Sequence, residues 1–419
     1  MNVEQLQAAL GFDSFDAFWL NDLDLDVGAN RQLIEPYIQA PFLKKWTQSL
    51  GFDESACSAV FDNVSLLMES DALIVWLGNI IRRCFTQECE GLSKMSSLPH
   101  FKDSHIPHGN MVYAYFMLAG CPYLKNRHEA KNISSQITID TLRDIKIWMD
   151  DYYSQNGFWG LTCMGWISRH LREEIYRIGR LQFEQGIYDF EFEAYIHKKK
   201  NTVIVLAHDG VVFREDGQWE DANGHTDASK NWRATLTETQ LEFSGFPISQ
   251  NGYAVNKRVS LCKKEWSRAL KNGDPVIKVH IPADGSMTYA DCGDSFMQAK
   301  TFYKTVQPYP FKAFTCGSWL LDYQLSKYMH SESNVVKFLM EHYLIPLKFA
   351  NEKQTYYIVF GDSKVDVMAA ITKTSLQKAI RKLVEDGGIC RSAGGLIFPS
   401  LLNWGKAPYR LTDPLNDIT

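Results

Sequence analysis

"NGDPVIKVHIPADG", residues 272–285, decides the fold. Asn, Gly, Asp and Pro make a turn, and the stretch from Val276 to Ile281, apolar except for Lys278 and His280, reads as a buried strand. Pro282 has no N–H to give a sheet ladder, so it ends the strand and helps two neighbours separate. Directly behind lies "MTYADCGDSFMQAKTFY", residues 287–303, helical in its spacing, with Ser286 or Thr288 as N-cap. "PFKAFTCGSWLLD", residues 310–322, then reads as a second apolar strand running into a helix. A helix between two strands permits parallel pairing, so Val276–Ile281 and Phe311–Cys316 are expected side by side and parallel.

Upstream, the period changes at Tyr176. Before it, residues 1 to about 130 carry apolar residues at three- and four-residue steps, as in "NVEQLQAALGF" and "DALIVWLGNIIRRCF". The latter meets two arginines after about ten residues and reads as a buried helix rather than a membrane span. A helical hairpin follows, striped by Leu142, Ile145 and Met149 and then by Met164, Ile167 and Leu171. After it, "RLQFEQG", "DFEFEAYIH" and "TVIVLAHDGVVF" alternate or run apolar and predict a three-stranded antiparallel meander. Downstream, "RATLTETQLEFSGFPI" and "TYYIVFG" predict strands, "SLCKKEWSRAL" and "SNVVKFLMEHYLIP" helices. "TSLQKAIRKLVEDGG" predicts a helix with a Thr374–Gln377 capping box and a stop at Gly387. "GLIFPSLL" predicts a last strand. The expected fold is α+β: a helical domain over residues 1–130, then a mixed-sheet domain over 131–419.

The chain has 419 residues, a formal net charge of −5, 45% apolar residues and 22% charged ones. That is ordinary globular composition, and the acidic balance argues against a general nucleic-acid partner. Nine scattered cysteines suit a reducing cytosol, and no Cys or His spacing resembles a structural zinc site, so no metal is expected. The N-terminus lacks a basic leader and reads as an amphipathic helix, so the expected setting is cytoplasmic, with no membrane partner.

The strings "RIGRLQFE", "NGDPVIKVHIPADG", "DSFMQAKTFY", "FTCGSWLLD", "SNVVKFLMEHY" and "TSLQKAI" together resemble a family of bacterial acyltransferase-domain proteins. These have a helical N-terminal domain and a GNAT-like C-terminal domain. The resemblance implies acyl-CoA or acetyl-CoA as co-substrate, a small-molecule acyl acceptor, and a pantetheine arm held along a splayed strand, here at Val279 and Ile281. It puts the pyrophosphate at the turn after that strand, Asp284, Gly285, Ser286, Met287 and Thr288. Two departures stand out. The GNAT phosphate pattern has more glycines than "PADGSMT", and in this family a histidine often stands where Gly317 does.

The residues themselves suggest further roles. A helix N-terminus behind a strand binds anions through unpaired amides, and Gly285 permits close approach, although Asp284 brings the wrong charge or simply caps the turn. His280 alternates away from the core-facing Val279 and suits a general base, though a satisfied structural histidine is the commoner use. Gly317 allows a bend and Ser318 caps a helix starting near Trp319, so this corner lines a cleft or merely packs. Cys316 is a candidate thiolate with His280 as its base, which predicts a Cys-dependent hydrolase. Tyr323 is a candidate acid for a thiolate leaving group. Arg180, Gln182 and Glu184 share a strand face and form either a polar wall for substrate or a solvated surface. The leading expectation is acyl transfer. The alternative is a non-catalytic GNAT-like binding module. The helical domain is left to cover the sheet, complete the acceptor pocket or form a homo-oligomer.

Overall fold

The structure is a computed structural model, described for residues 1–12, 16–86, 90–226, 228–349, 352–411 and 415. The chain forms two compact units, Met1–Gln182 with Ile281–Gly285, and Phe183–His280 with Ser286–Thr419.

The first unit is helical, and its order follows the apolar spacing. Helix Val3–Leu10 opens with a capping box between Asn2 and Gln5 and closes at Gly11, φ 66°. Helix Asp71–Phe85 buries every residue from Ala72 to Ile81. Helix Met111–Ala130 buries every residue from Met111 to Cys121. Helices that are apolar all round belong in the middle of a bundle, with the narrower amphipathic helices around them. Among the described residues no single helix is long and apolar enough to cross a membrane. The two helices expected there form as Asp144–Asn156 and Met164–Leu171, preceded by a short helix Ser135–Leu142. The unit ends on strand Ile175–Ile178, a turn at Gly179 with φ 66°, and the start of strand Leu181–Ile187.

The second unit is built on sheets. Its main sheet runs Leu181–Ile187 (entering this unit at Phe183), Pro275–His280, Ala313–Ser318, Ala393–Ile397, Tyr343–Pro346. Pro275–His280 and Ala313–Ser318 are parallel, as the connecting helix requires. That helix, Tyr289–Thr305, buries Cys292, Phe296, Ala299 and Phe302. Phe296 packs edge-on against Phe183 and Phe314, with ring centroids 5.8 and 5.2 Å away. A second sheet has the order Tyr253–Ala254, Pro247–Ser249, Val203–Ala207, Phe192–His197, Trp266–Leu270.

Several expectations change. The three strands after Tyr176 do not form one meander: Leu181–Ile187 joins the main sheet, while Phe192–His197 and Val203–Ala207 pair in the second. Alternation specifies that a strand has two unlike faces, but not which partner it takes. "SLCKKEWSRAL" is not a helix but two strands, Val259–Cys262 and Trp266–Leu270. Leu261, Trp266 and Leu270 are buried at spacings that both periods accommodate, and the sheet offered them burial. "TYYIVFG" is not a strand: Glu352–Phe360 is a helix in which Thr355 is buried while Tyr357 and Ile358 are exposed. "RATLTETQLEFSGFPI" breaks into the short strands Thr237–Glu238, Glu242–Gly245 and Pro247–Ser249. The capping box of helix Ser375–Glu385 forms as expected.

A candidate acyl-transfer seam

In the second unit, the pairing of the two parallel strands is short. It joins Val276 to Ala313, Ile277 to Phe314 and Lys278 to Thr315. Both strands continue past that point, one to His280 and the other to Ser318. Ala313–Ser318 keeps its other neighbour throughout, with Gly317 opposite Gly394 and Ser318 opposite Ala393. The second strand is thus held on one side and released on the other, so a seam opens beyond Lys278 and Thr315. Gly317 is exposed at this seam. The backbone edges facing a seam present amides and carbonyls without ladder partners across it, which an amide-rich ligand can satisfy.

His280 ends the first seam strand, and its Nε2 lies 2.8 Å from Glu184 Oε2 on the adjacent strand Leu181–Ile187. The Glu184 side chain is 10% exposed and that of His280 30%. With the Nε2 proton donated to Glu184, the ring's lone pair sits on Nδ1. Val279 is buried, so the alternation expected around His280 holds, although the strand stops at His280 and Ile281 lies outside it.

Gly317 is no elbow. Its φ is not left-handed, and the strand runs straight through it to Ser318, φ −155°. Regular pairing with Ala393–Ile397 holds the backbone extended. Ser318 accepts from the Leu320 N–H at 3.2 Å and caps a single 3-10 turn, Trp319–Leu321, not a helix. Trp319 is buried, so it offers a ligand no platform. Cys316 is 2% exposed. Burial pushes its thiol up to about 12, with Cys292 adding to the effect, the reverse of what a thiolate nucleophile needs. In native protein, iodoacetamide is expected to alkylate exposed Cys262 while Cys316 stays unmodified, read by peptide mass mapping. Tyr323 lies beneath the Arg410 guanidinium, 5.7 Å from its ring centre.

Arg180, Gln182 and Glu184 do not make one polar wall. Arg180 lies in the turn, where Nη2 donates to the carbonyls of Pro282 and Gly285 at 2.9 and 3.1 Å. Gln182 is buried and donates to Asp144 at 2.6 Å. Trp148 and Trp166 donate to the same carboxylate at 3.0 and 2.9 Å, making a structural node. Only Glu184 turns to the seam's histidine. The charge objection at Asp284 also falls away within the first unit, because Arg177 Nη1 binds Asp284 Oδ2 at 2.6 Å. Two guanidiniums against one carboxylate leave the 282–285 turn positive. Gly285 has φ 81° and nothing within 4 Å of a methyl placed on it. Its glycine answers to backbone conformation rather than to close approach. In the second unit, helix Tyr289–Thr305 begins after Thr288, whose hydroxyl donates to Asp291, while Tyr289 N–H donates to Asn334 at 3.3 Å. That helix end already has partners, and Ser286 before it is exposed, with Met287 half-buried.

The sequence reading missed the His280–Glu184 pair because 96 residues separate its members. It also gave Arg177 no role, since nothing in "RIGRLQFE" reveals that Asp284 is its partner.

No curated protein matches the chain. Solved structures do share its fold. One is an acyltransferase variant in complex with octanoyl-CoA, 15% identical, TM-score 0.62, covering 95% of this chain and 99% of that one. Another is an acyltransferase in complex with decanoyl-CoA and teicoplanin, 15% identical, TM-score 0.61, with the same coverage. Residues 65–173 match the N-acyltransferase N-terminal domain. Residues 175–397, more than half of the chain, match the GNAT-like C-terminal domain, and the protein belongs to that family.

Proposed function

We propose that the chain is an acyl-CoA-dependent acyltransferase that moves an acyl group onto a small-molecule acceptor. One observation carries this reading: the parallel pairing stops at Lys278–Thr315 while both strands run on, opening a seam at Gly317. A pantetheine arm is narrow and carries two amides, so it fits between strand edges that have lost each other as partners. The solved acyltransferases of the same fold, whose complexes hold octanoyl-CoA and decanoyl-CoA, support the choice of ligand, and the one with teicoplanin supports a small-molecule acceptor.

His280 is the general base of this reaction. Nδ1 takes a proton from the acceptor's amine or hydroxyl as that group attacks the thioester carbonyl. The new C–N or C–O bond forms, the C–S bond breaks, and the imidazolium returns its proton to the departing thiolate. Glu184 fixes the tautomer and stabilises the imidazolium while it lasts. Val279, buried behind His280, fixes the strand on which the base stands. Cys316 and Tyr323 take no part. The eight described cysteines are all free, which favours a reducing cytosol as the setting.

The test is calorimetric titration of the whole protein with CoA, acetyl-CoA, octanoyl-CoA and dodecanoyl-CoA. Saturable binding is expected. Absence of binding to every CoA species makes the chain a binding module for some other ligand and ends the transferase reading.

A further inference from the structure

Gly317 is a residue that the fold leaves unexplained. Glycine weakens a strand, and its usual reasons are a left-handed φ, a bulge, or the close approach of another backbone or a ligand. The φ of Gly317 is not left-handed, and its register with Gly394 is regular. A methyl placed on it meets only Leu347 Cδ1, at 3.6 Å, an ordinary contact. Folding therefore tolerates a side chain here. What remains is a ligand that needs the space.

The surroundings indicate which part of a ligand. Gly317 lies two residues past the last seam pair, Lys278–Thr315. Residues directly opposed in an antiparallel pair share a face, so Gly317 and Gly394 are bare on the same side. Leu347 covers both: its Cδ2 is 3.2 Å from the methyl position of Gly394. Gly394 has a packing reason to be bare, since Ile345 Cγ1 lies 2.6 Å from that position, whereas Gly317 has none. The result is an exposed, side-chain-free Gly317, with buried Gly394 next to it, beside a half-buried leucine wall at the open end of the seam. Such a slot accepts methylenes, not charges.

We propose that Gly317 and Leu347 form the slot for the first methylenes of the acyl chain, and so set which acyl lengths the protein accepts. The ligand class is an unbranched fatty-acyl thioester, since a straight chain passes a bare Cα where a branched one collides. This slot presupposes that the protein binds acyl-CoA.

Gly317→Ala, Gly317→Val, Leu347→Ala and Leu347→Trp are each titrated with CoA, acetyl-CoA, octanoyl-CoA and dodecanoyl-CoA, with thermal melts confirming the fold. Gly317→Val is expected to weaken octanoyl-CoA by about tenfold or more beyond whatever it does to CoA, the discrimination one or two methylenes provide. Gly317→Ala is expected to fall between wild type and Gly317→Val. Leu347→Ala shifts preference toward dodecanoyl-CoA, and Leu347→Trp toward acetyl-CoA. An unchanged length profile in folded variants overturns the slot while leaving the transferase reading intact. Equal weakening of CoA and all acyl-CoAs also overturns it, because the slot then holds the pantetheine arm. Wild-type protein that binds no CoA species removes both readings together.

Discussion

His280→Ala is expected to lower kcat by about 10²–10⁴-fold, the usual worth of a positioned general base, with little change in the KM for acyl-CoA. The measurement is CoA release from octanoyl-CoA, followed with a thiol reagent, in the presence of amine and hydroxyl acceptors. The split between kcat and KM matters. A histidine that merely packs at the strand end would disturb the seam and raise the KM, whereas a base acts only once the nucleophile attacks. Glu184→Gln removes the charge opposite Nε2 yet keeps an acceptor, so its effect is expected to be smaller, about tenfold in kcat, with partial recovery in Glu184→Asp. Equal activity of His280→Ala and wild type would move the base elsewhere.

Acid is expected to destabilise both units well before carboxylates titrate. His342 is fully enclosed, with Nδ1 2.9 Å from the Phe338 carbonyl. Its ring centroid lies 4.8 Å from that of Phe338 and 6.0 Å from that of Phe296. Burial holds its pKa down to about 4, the Phe338 carbonyl working against this and the Arg410 charge adding to it. In the first unit His128, bonded to Thr138 at 2.9 Å, is likewise held near 4 by burial. Glu173 opposes that shift, and Lys131 and Arg127 reinforce it. Both rings are neutral in the folded state. Above the ordinary pKa of 6.5 they make no difference to stability. Below it the unfolded chain binds protons that the folded chain refuses, so stability falls as pH drops from 6.5 toward 4. Each histidine contributes a slope of about 1.4 kcal/mol per pH unit and a total of about 3 kcal/mol. Denaturant titrations between pH 7 and 4 measure it. His342→Asn and His128→Asn should each flatten the curve by one proton. An unchanged slope in both variants would show that these rings titrate with the fold intact.

Much of this could be read from the residues alone. Strand, loop and helix over 272–303 leave little choice, since a mostly apolar stretch of strand length, a proline and a 3.6-residue period succeed one another without overlap. The buried helices 71–85 and 111–130 declare themselves because their apolar runs are long and carry no charged residue, Asn79 being the one amide within the first. Ambiguity began where segments were short. Residues 260–270 and 355–361 have compositions that both periods accommodate, and the environment made the choice. Candidate residues were legible by type: His280 and Gly317 were visible as unusual, but their partners were not.

Sequence determined the order of elements, the parallel step across helix Tyr289–Thr305, and the presence of a histidine at a strand end, because these depend on local period and on the chirality and reach of the chain. Tertiary structure alone decided that Glu184 faces His280, that Arg177 neutralises Asp284, that Cys316 is sealed from solvent, and that two strands separate after Lys278 and Thr315. Pairing across distances of about a hundred residues is set by which faces and edges meet, and neither is written in any single segment.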